Sequence, residues 1–213
     1  MKILHISDWH GQFLFPDEQC DVIVSSGDML PIFARNNIVY NISAQKYWIR
    51  NNISRFKNLI GDSKFLSCSG NHDFVSLASE LVKYNIDAVD LDTTWIKYEG
   101  ISFAGFPYIP YIIGEWNFEL VDDDLRKKTN KFLDKCSGTD ILVMHCPPYG
   151  ILDELDKFTK IGGNVHLTNS LFYRMEMLPK ALCCGHFHLN YGITKINNIL
   201  FSNAATTYNV LEI

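Results

Sequence analysis

The segment ALCCGHFHLNYG (Ala181–Gly192) sets two adjacent cysteines just before a histidine pair. Alone, it fits a zinc site made from Cys183, Cys184, His186 and His188, a redox pair, or the end of a buried strand. What separates these readings is a pattern: a short apolar run closing on ligand-type side chains recurs four more times along the chain. Consecutive side chains of a strand point to opposite faces, so Cys183 and Cys184 cannot both join the histidines at one ion. ALCC therefore reads as a strand with core thiols, and the loop after it carries His186 and His188.

Working outward, the same form appears in KILHIS (Lys2–Ser7), DVIVSSGD (Asp21–Asp28), KFLSCSGNHD (Lys64–Asp73) and DILVMHCPP (Asp140–Pro148). Amphipathic stretches lie between these runs. One helix is expected over Ser43–Ile60 with Ser43 as its N-cap, and others near Val75–Tyr84, Asp122–Cys136 and Asn169–Leu178. Asp122, Asp123 and Asp124 suit the positive N-terminal end of the third. Trp95–Pro107 reads as a hairpin turning at Glu99-Gly100, and the tail as a hairpin around Asn197-Asn198 plus a final strand. Strands alternating with helices predict an α/β layered fold, and with no repeat or linker in view, a single domain over residues 1–213.

Composition narrows the function classes. The chain has 213 residues, 47% hydrophobic and 20% charged, with a formal net charge of −5. That balance gives no strong nucleic-acid signal, because avid phosphate-backbone binding needs clustered Lys and Arg. His5 and Asp8 interrupt the N-terminal apolar run, so no export leader is expected, and no stretch reaches the length of a membrane span. Six cysteines without framework spacing read as reduced thiols, consistent with a cytoplasmic location.

The polar residues concentrate where strands end. SDWHG, SSGDM, SGNHD, MHCPP and CGHFH hold five of the seven histidines. In layered α/β folds, loops at the carboxyl ends of strands converge on one site. Asp8 and His10, like His186 and His188, are two positions apart and share a side in an extended segment. With Asp28, Asn71 and His145 the set has two carboxylates, an amide oxygen and four imidazoles. That exceeds one tetrahedral ion and suits two divalent transition metal ions with a bridging carboxylate. Mn, Fe and Zn all accept such mixed ligation, and Mn is favoured here. Two ions bring about +4 of charge against the −2 of the carboxylates, leaving about +2 to attract a phosphate.

The blocks DWH, GD, GNHD, H and GHFH stand in the order of the calcineurin-like metallophosphoesterases, which this sequence resembles from Asp8 to His188. HCPPYGILD, GHFHLNYGI and FSNAA are similar to the small single-domain branch containing phage and bacterial phosphoesterases and the MPPED-type phosphodiesterases. The resemblance implies a four-layer α-β-β-α sandwich. It also implies that Asp8, His10 and His188 bind one metal and Asn71, His145 and His186 the other, with Asp28 bridging. His72 would face the leaving-group oxygen as proton donor or transition-state stabiliser, while a metal-held hydroxide attacks phosphorus in line. The implied activity is phosphoester hydrolysis, with a small nucleotide or cyclic nucleotide diester as the expected substrate and partner. Many relatives carry an acidic residue three positions after the GD aspartate to support that histidine. Here the place is Pro31, which leaves the support of His72 open; Asp73 is one candidate, although adjacent side chains often diverge.

Two alternatives stand beside this reading: a DNA nuclease of the same superfamily, and a non-catalytic phosphoesterase-like scaffold such as the retromer subunit. The complete ligand set and His72 speak against the scaffold; the short tail after His188 and the lack of a basic patch speak against the nuclease. His5, inside the first strand, reads as a core histidine. His166 reads as a loop residue, Cys146 as a loop-shaping thiol. FPYIPYIIGEWNF (Phe106–Phe118) is either a lid on which a nucleobase stacks or a loop folded onto the core by its own aromatics. Phe13 and Tyr149, near ligand loops, admit the same two readings.

Overall fold

Alternation along the first strand sets up the layers. Ile3 packs into a core between two sheets, whereas Leu4 and Ile6 pack against helices on the outside. The computed structural model describes residues 1–155 and 162–213. In chain order the elements are β1 (Lys2–Ile6), β2 (Val22–Ser25), α1 (Ile38–Asn51), α2 (Ile53–Ile60), β3 (Lys64–Ser67), α3 (Leu77–Val82) and β4 (Ala88–Asp90). The second half adds β5 (Trp95–Tyr98), β6 (Ile101–Phe106), β7 (Ile109–Pro110), β8 (Glu119–Leu120), α4 (Asp122–Lys135) and β9 (Ile141–Met144). It closes with α5 (Val165–Tyr173), β10 (Ala181–Cys184), β11 (Gly192–Ile196), β12 (Ile199–Asn203) and β13 (Tyr208–Glu212).

One sheet has the order β13-β1-β2-β3-β4, the other β11-β12-β10-β9-β6-β5, and β7 pairs with β8. The inner strands of both large sheets run parallel, with antiparallel strands β13, β11 and β5 at edges. Val24, Leu66, Phe103, Val143 and Cys183 fill the layer between the sheets. Helices α1, α2 and α3 cover one outer face through Ile49, Phe56 and Leu81. Helices α4 and α5 cover the other through Leu125, Phe132 and Leu171. This is the expected four-layer α-β-β-α sandwich. Cys183 falls in the inter-sheet core and Cys184 in the outer one, the opposite-face placement that rules out a shared zinc site.

Several boundaries differ from the sequence expectation. The Ser43–Ile60 helix begins earlier, at Ile38, where the Asn37 side chain accepts the Tyr40 N–H at 3.0 Å. Ser43 is not the cap but an interior residue bonded back to Val39 O. The run also divides at Asn52, whose side-chain amide donates to Trp48 O at 2.9 Å and competes with the helix ladder. Helix α3 is shorter than Val75–Tyr84 because Ser76 caps it. Helix α5 precedes the expected Asn169–Leu178, since Asn164 accepts the N–H groups of His166 and Leu167. His166 is thus a first-turn helix residue, not a loop residue, and bonds Asp122 at 2.7 Å. The hairpins turn where expected, with Asn197 and Asn198 both at positive φ. Among the described residues no helix is long and apolar enough to cross a membrane.

Candidate metal centre

The parallel strands β1, β2, β3, β9 and β10 all point their carboxyl ends to one edge of the sandwich, so their loops meet there. Backbone bonds join the first two loops: Asp8 N–H donates to Gly27 O at 2.9 Å, His10 N–H to Asp28 O at 3.0 Å, and Gly11 N–H to Met29 O at 2.9 Å. The two sheets meet at the same edge through a bridge between Ser7 and Ala205. All seven predicted ligand residues and His72 belong to these loops.

Two donor groups result. Asp8, His10 and His188 form one, and Asp28, His145 and His186 the other, with the donor atoms in each group within 4.8 Å of one another. Asp28 also groups with His10 and His72 on the same criterion and so lies between the two sets. His188 Nε2 is 3.1 Å from Asp8 Oδ1 and 3.5 Å from His10 Nε2. His145 Nε2 is 3.0 Å from Asn71 Oδ1 and 3.3 Å from Asp28 Oδ2. Asp8, Asp28, Asn71 and His145 are buried, while His10, His72 and His188 are more open to solvent. The site is walled by protein on one side and accessible on the other.

The backbone is strained where these residues sit. Asp8 (φ 57°), His10 (46°), Asp28 (53°) and His186 (70°) are all left-handed, a conformation that costs a non-glycine residue roughly 1–3 kcal/mol. Four such residues in one place mark a site whose side-chain directions are enforced. Gly70 meets the same need for space, since a Cβ there would fall 2.3 Å from Asp28 Oδ1.

Charge is arranged to receive cations. Burial pushes the Asp8 and Asp28 carboxyls up, yet His188 and His145 for Asp8, and His145, His72 and His10 for Asp28, hold both below the ordinary range. Burial alone would lower His145; the Asp28 and Asp8 carboxylates and the Ser26 carbonyl outweigh it and raise His145 to about 9. The pocket therefore favours positive charge at the His145 nitrogen that faces the oxygens. Burial, with His145 beside it, holds His186 at about 3, a neutral imidazole with a free lone pair. The donor set of carboxylates, imidazoles and an amide oxygen fits divalent transition metal ions.

His72 stands at the rim, Nε2 3.8 Å from Asp28 Oδ2, with its pKa lowered by burial. The candidate support from Asp73 is absent. That carboxylate is occupied by the backbone N–H groups of Asp28, Leu30 and Gly70 at 2.7, 3.0 and 3.0 Å, and so braces loops instead. The His72 ring instead lies on Trp116, with centroids 4.5 Å apart and planes 18° from parallel. Gln45, also unsuspected from sequence, accepts from Phe74 N–H and donates to His72 O at 2.7 Å. Asn203, at the end of β12, donates to Phe187 O within the GHFH loop at 3.1 Å. The aromatic composition of residues 106–118 was the only sequence signal for Trp116.

The remaining candidates separate cleanly. His5 is fully buried between Ser202 Oγ at 2.7 Å and Ser26 Oγ at 2.9 Å, a core histidine as expected. Phe13 packs with Trp48 and Phe56 under Arg55, in the helical layer. Cys146 is buried, its thiol pushed well up by burial and held in its loop by Pro147 O. Tyr149 is exposed.

Residues 1–190 match the family model described as calcineurin-like phosphoesterase. Metallophosphoesterase domain-containing protein 1 of Homo sapiens is 30% identical over 120 residues, which is 56% of this chain and 35% of that protein. A UPF0046 protein of Caenorhabditis elegans is 31% identical over 121 residues, 55% of this chain and 28% of that protein. The matches thus span about a third of the length of these curated relatives. A solved chain described as a novel archaeal phosphodiesterase aligns over 100% of this chain and 93% of its own, at 14% identity and a TM-score of 0.49.

Proposed function

Because the chain belongs to the calcineurin-like phosphoesterase family, we propose that it is a dinuclear metal-dependent phosphodiesterase acting on a small nucleotide or cyclic nucleotide. The observation that carries this reading is the pair of donor groups Asp8/His10/His188 and Asp28/His145/His186, set side by side with Asp28 between them. In this reading Asp8, His10 and His188 would hold one ion and Asn71, His145 and His186 the other, with Asp28 available to both. When bound, two divalent cations, with Mn favoured, would act as Lewis acids on the phosphoryl group and acidify water.

The chain's own residues do the rest. Ser26 O accepts from His145 Nδ1 at 2.8 Å, which fixes the ring with Nε2 pointing into the site, where it would exchange its proton for an ion. Asp28 Oδ1 accepts the His72 N–H at 2.6 Å, so the shared carboxylate also positions the backbone of the proposed acid. Water adds to phosphorus as the ester P–O bond breaks, and the departing oxygen leaves with a proton, giving a phosphomonoester and an alcohol. His72, at the rim, donates a hydrogen bond and, to a basic leaving oxygen, a proton. The nucleotide preference is supported by the aromatic segment 106–118 beside the site, with Tyr111 exposed for stacking. Free, mostly buried cysteines suit a reducing compartment, the cytoplasm.

The test is turnover of bis(p-nitrophenyl) phosphate, cyclic nucleotides, dinucleotides, phosphomonoesters and single-stranded DNA by the Mn²⁺-loaded protein. Diesters of small nucleotides are expected to turn over fastest, and Asp28→Ala to lose at least ~100-fold. Undiminished turnover in the Asp28 variant would sink the assignment. Preference for single-stranded DNA with steep salt dependence would move it to a nuclease.

A further inference from the structure

The His72 ring has an orientation but no hydrogen bond to explain it. Its backbone is fixed at both ends, by Asp28 Oδ1 on the N–H and by Gln45 Nε2 on the carbonyl. The ring itself makes no hydrogen bond among the described residues: Asp28 Oδ2 stands 3.8 Å away, and Asp73 is committed to three backbone N–H groups. An imidazole turns about a broad torsion when nothing holds it. Here two aromatic contacts do. His10 meets the ring edge-on at 4.8 Å, and Trp116 covers it face to face at 4.5 Å.

Trp116 is itself anchored. The next residue, Asn117, donates its N–H to Asn71 O at 3.1 Å and its side-chain amide to Asp73 O at 2.8 Å, bracketing His72 on both sides. Ile109 N–H bonds Phe118 O at 3.1 Å, tying the segment back to β7. The loop from β7 to β8 therefore presses one indole face onto one imidazole at a fixed register.

The geometry points to Trp116 as a positioning residue that sets the direction of the His72 N–H toward the leaving-group oxygen, with Asn117 setting the register of the stack. This rests on His72 serving the leaving group as read above. Misdirecting such a donor costs rate without costing binding. The loss also grows with the basicity of the leaving oxygen, because a weakly basic one departs unaided.

The experiment compares Trp116→Leu, Trp116→Phe and His72→Ala, Mn²⁺-loaded, on diphenyl phosphate and bis(p-nitrophenyl) phosphate. Trp116→Leu is expected to lower kcat on diphenyl phosphate by ~10-fold or more, and on the nitrophenyl ester by less than ~3-fold, with KM within ~2-fold on both. Trp116→Phe, which keeps a ring face, is expected to recover most of the loss. Equal losses on both esters, or a change confined to KM, would overturn the inference and make Trp116 a substrate contact. If His72→Ala is slow while Trp116→Leu is wild-type, the positioning role alone fails. If His72→Ala is wild-type on diphenyl phosphate, the reading of His72 fails and the inference falls with it. Independently of any variant, the Zn²⁺-loaded protein is expected to show a nuclear Overhauser contact between the two rings and upfield His72 C–H resonances; without that contact the stack does not exist in solution.

Discussion

His145 Nδ1 lies 2.8 Å from the carbonyl oxygen of Ser26, and this bond decides what the other nitrogen can do. A neutral imidazole donating at Nδ1 has only a lone pair at Nε2, and here that lone pair faces Asp28 Oδ2 and the Asn71 amide. Lone pair against carboxylate is favourable only with a cation between them: a proton, which His145 with its pKa raised to about 9 holds there, or a metal ion that displaces it. His145→Ala is therefore expected to lose one equivalent of metal per chain after Mn²⁺ loading and desalting, with far-UV circular dichroism unchanged. Full metal retention, measured by plasma mass spectrometry, would show that His145 is not a ligand.

Metal removal should also be visible as lost stability. Asp8 and Asp28 are both almost fully buried, and only cations or protonated imidazoles can balance them there. Mn²⁺ at 100 times its Kd would add about 2.7 kcal/mol to the folded state for each ion bound. For a chain of this size, that is about 5–10 °C in Tm. Chelation with EDTA is expected to lower Tm by at least that amount and Mn²⁺ in excess to restore it. A Tm indifferent to both would argue against bound ions.

The convergence of these donors was legible in the sequence because ligand chemistry is local: each loop showed its donors at the end of a recognisable strand. His186 and Asp8 could be named without knowing that Gly185 brings their loops into contact. What stayed hidden depends on partners distant in sequence. Asn52 splits a helix that periodicity alone continues, and Asn164 starts α5 ahead of its apolar run. Trp116 lies 44 positions after His72, and the stack becomes evident only once Asn117 is seen gripping Asn71 and Asp73. Asp73 shows the divergence expected of adjacent side chains: next to His72 in sequence, its carboxylate turns the other way, to the N–H groups of Asp28, Leu30 and Gly70.

His5 makes the fold acid-sensitive. It joins β1 in one sheet to Ser202 on β12 in the other. Burial, only partly opposed by Asp8, holds it at about 3 against an ordinary 6.5. The unfolded chain therefore takes up a proton first as pH falls. Nothing is lost above pH 6.5; below it stability declines by about 1.4 kcal/mol per unit until His5 itself is protonated near pH 3. His5→Gln keeps hydrogen bonding to the serines and does not titrate. Between pH 7 and 5 the wild type is expected to lose about 2 kcal/mol more than this variant in urea melts. Equal losses would mean that other groups set the acid response.

Gly185 is where the two halves of the centre come closest. A Cβ there would lie 2.0 Å from Ser7 Oγ and 2.1 Å from Asp8 Oδ2, distances no rotamer change of Asp8 can relieve without moving its carboxylate. That oxygen already accepts from Ser7 Oγ at 2.6 Å and from the His186 N–H at 2.9 Å. Added bulk would therefore break the bonds that aim Asp8 and hold the His186 loop. Gly185→Ala is expected to cost roughly 1–3 kcal/mol by overpacking and to weaken metal binding at both groups, since Asp8 serves one and His186 the other. Gly61→Ala is the control. Its φ of 54° is also positive, but the space around it is open and it closes α2 ahead of β3, at the end of that strand away from its ligand loop. It is expected to cost roughly 1–3 kcal/mol through its backbone alone and leave metal content unchanged. Titration of both variants with Mn²⁺, followed by urea denaturation, separates the two effects. If Gly185→Ala binds metal as tightly as Gly61→Ala, the close approach of the Asp8 and His186 loops is not what shapes the centre.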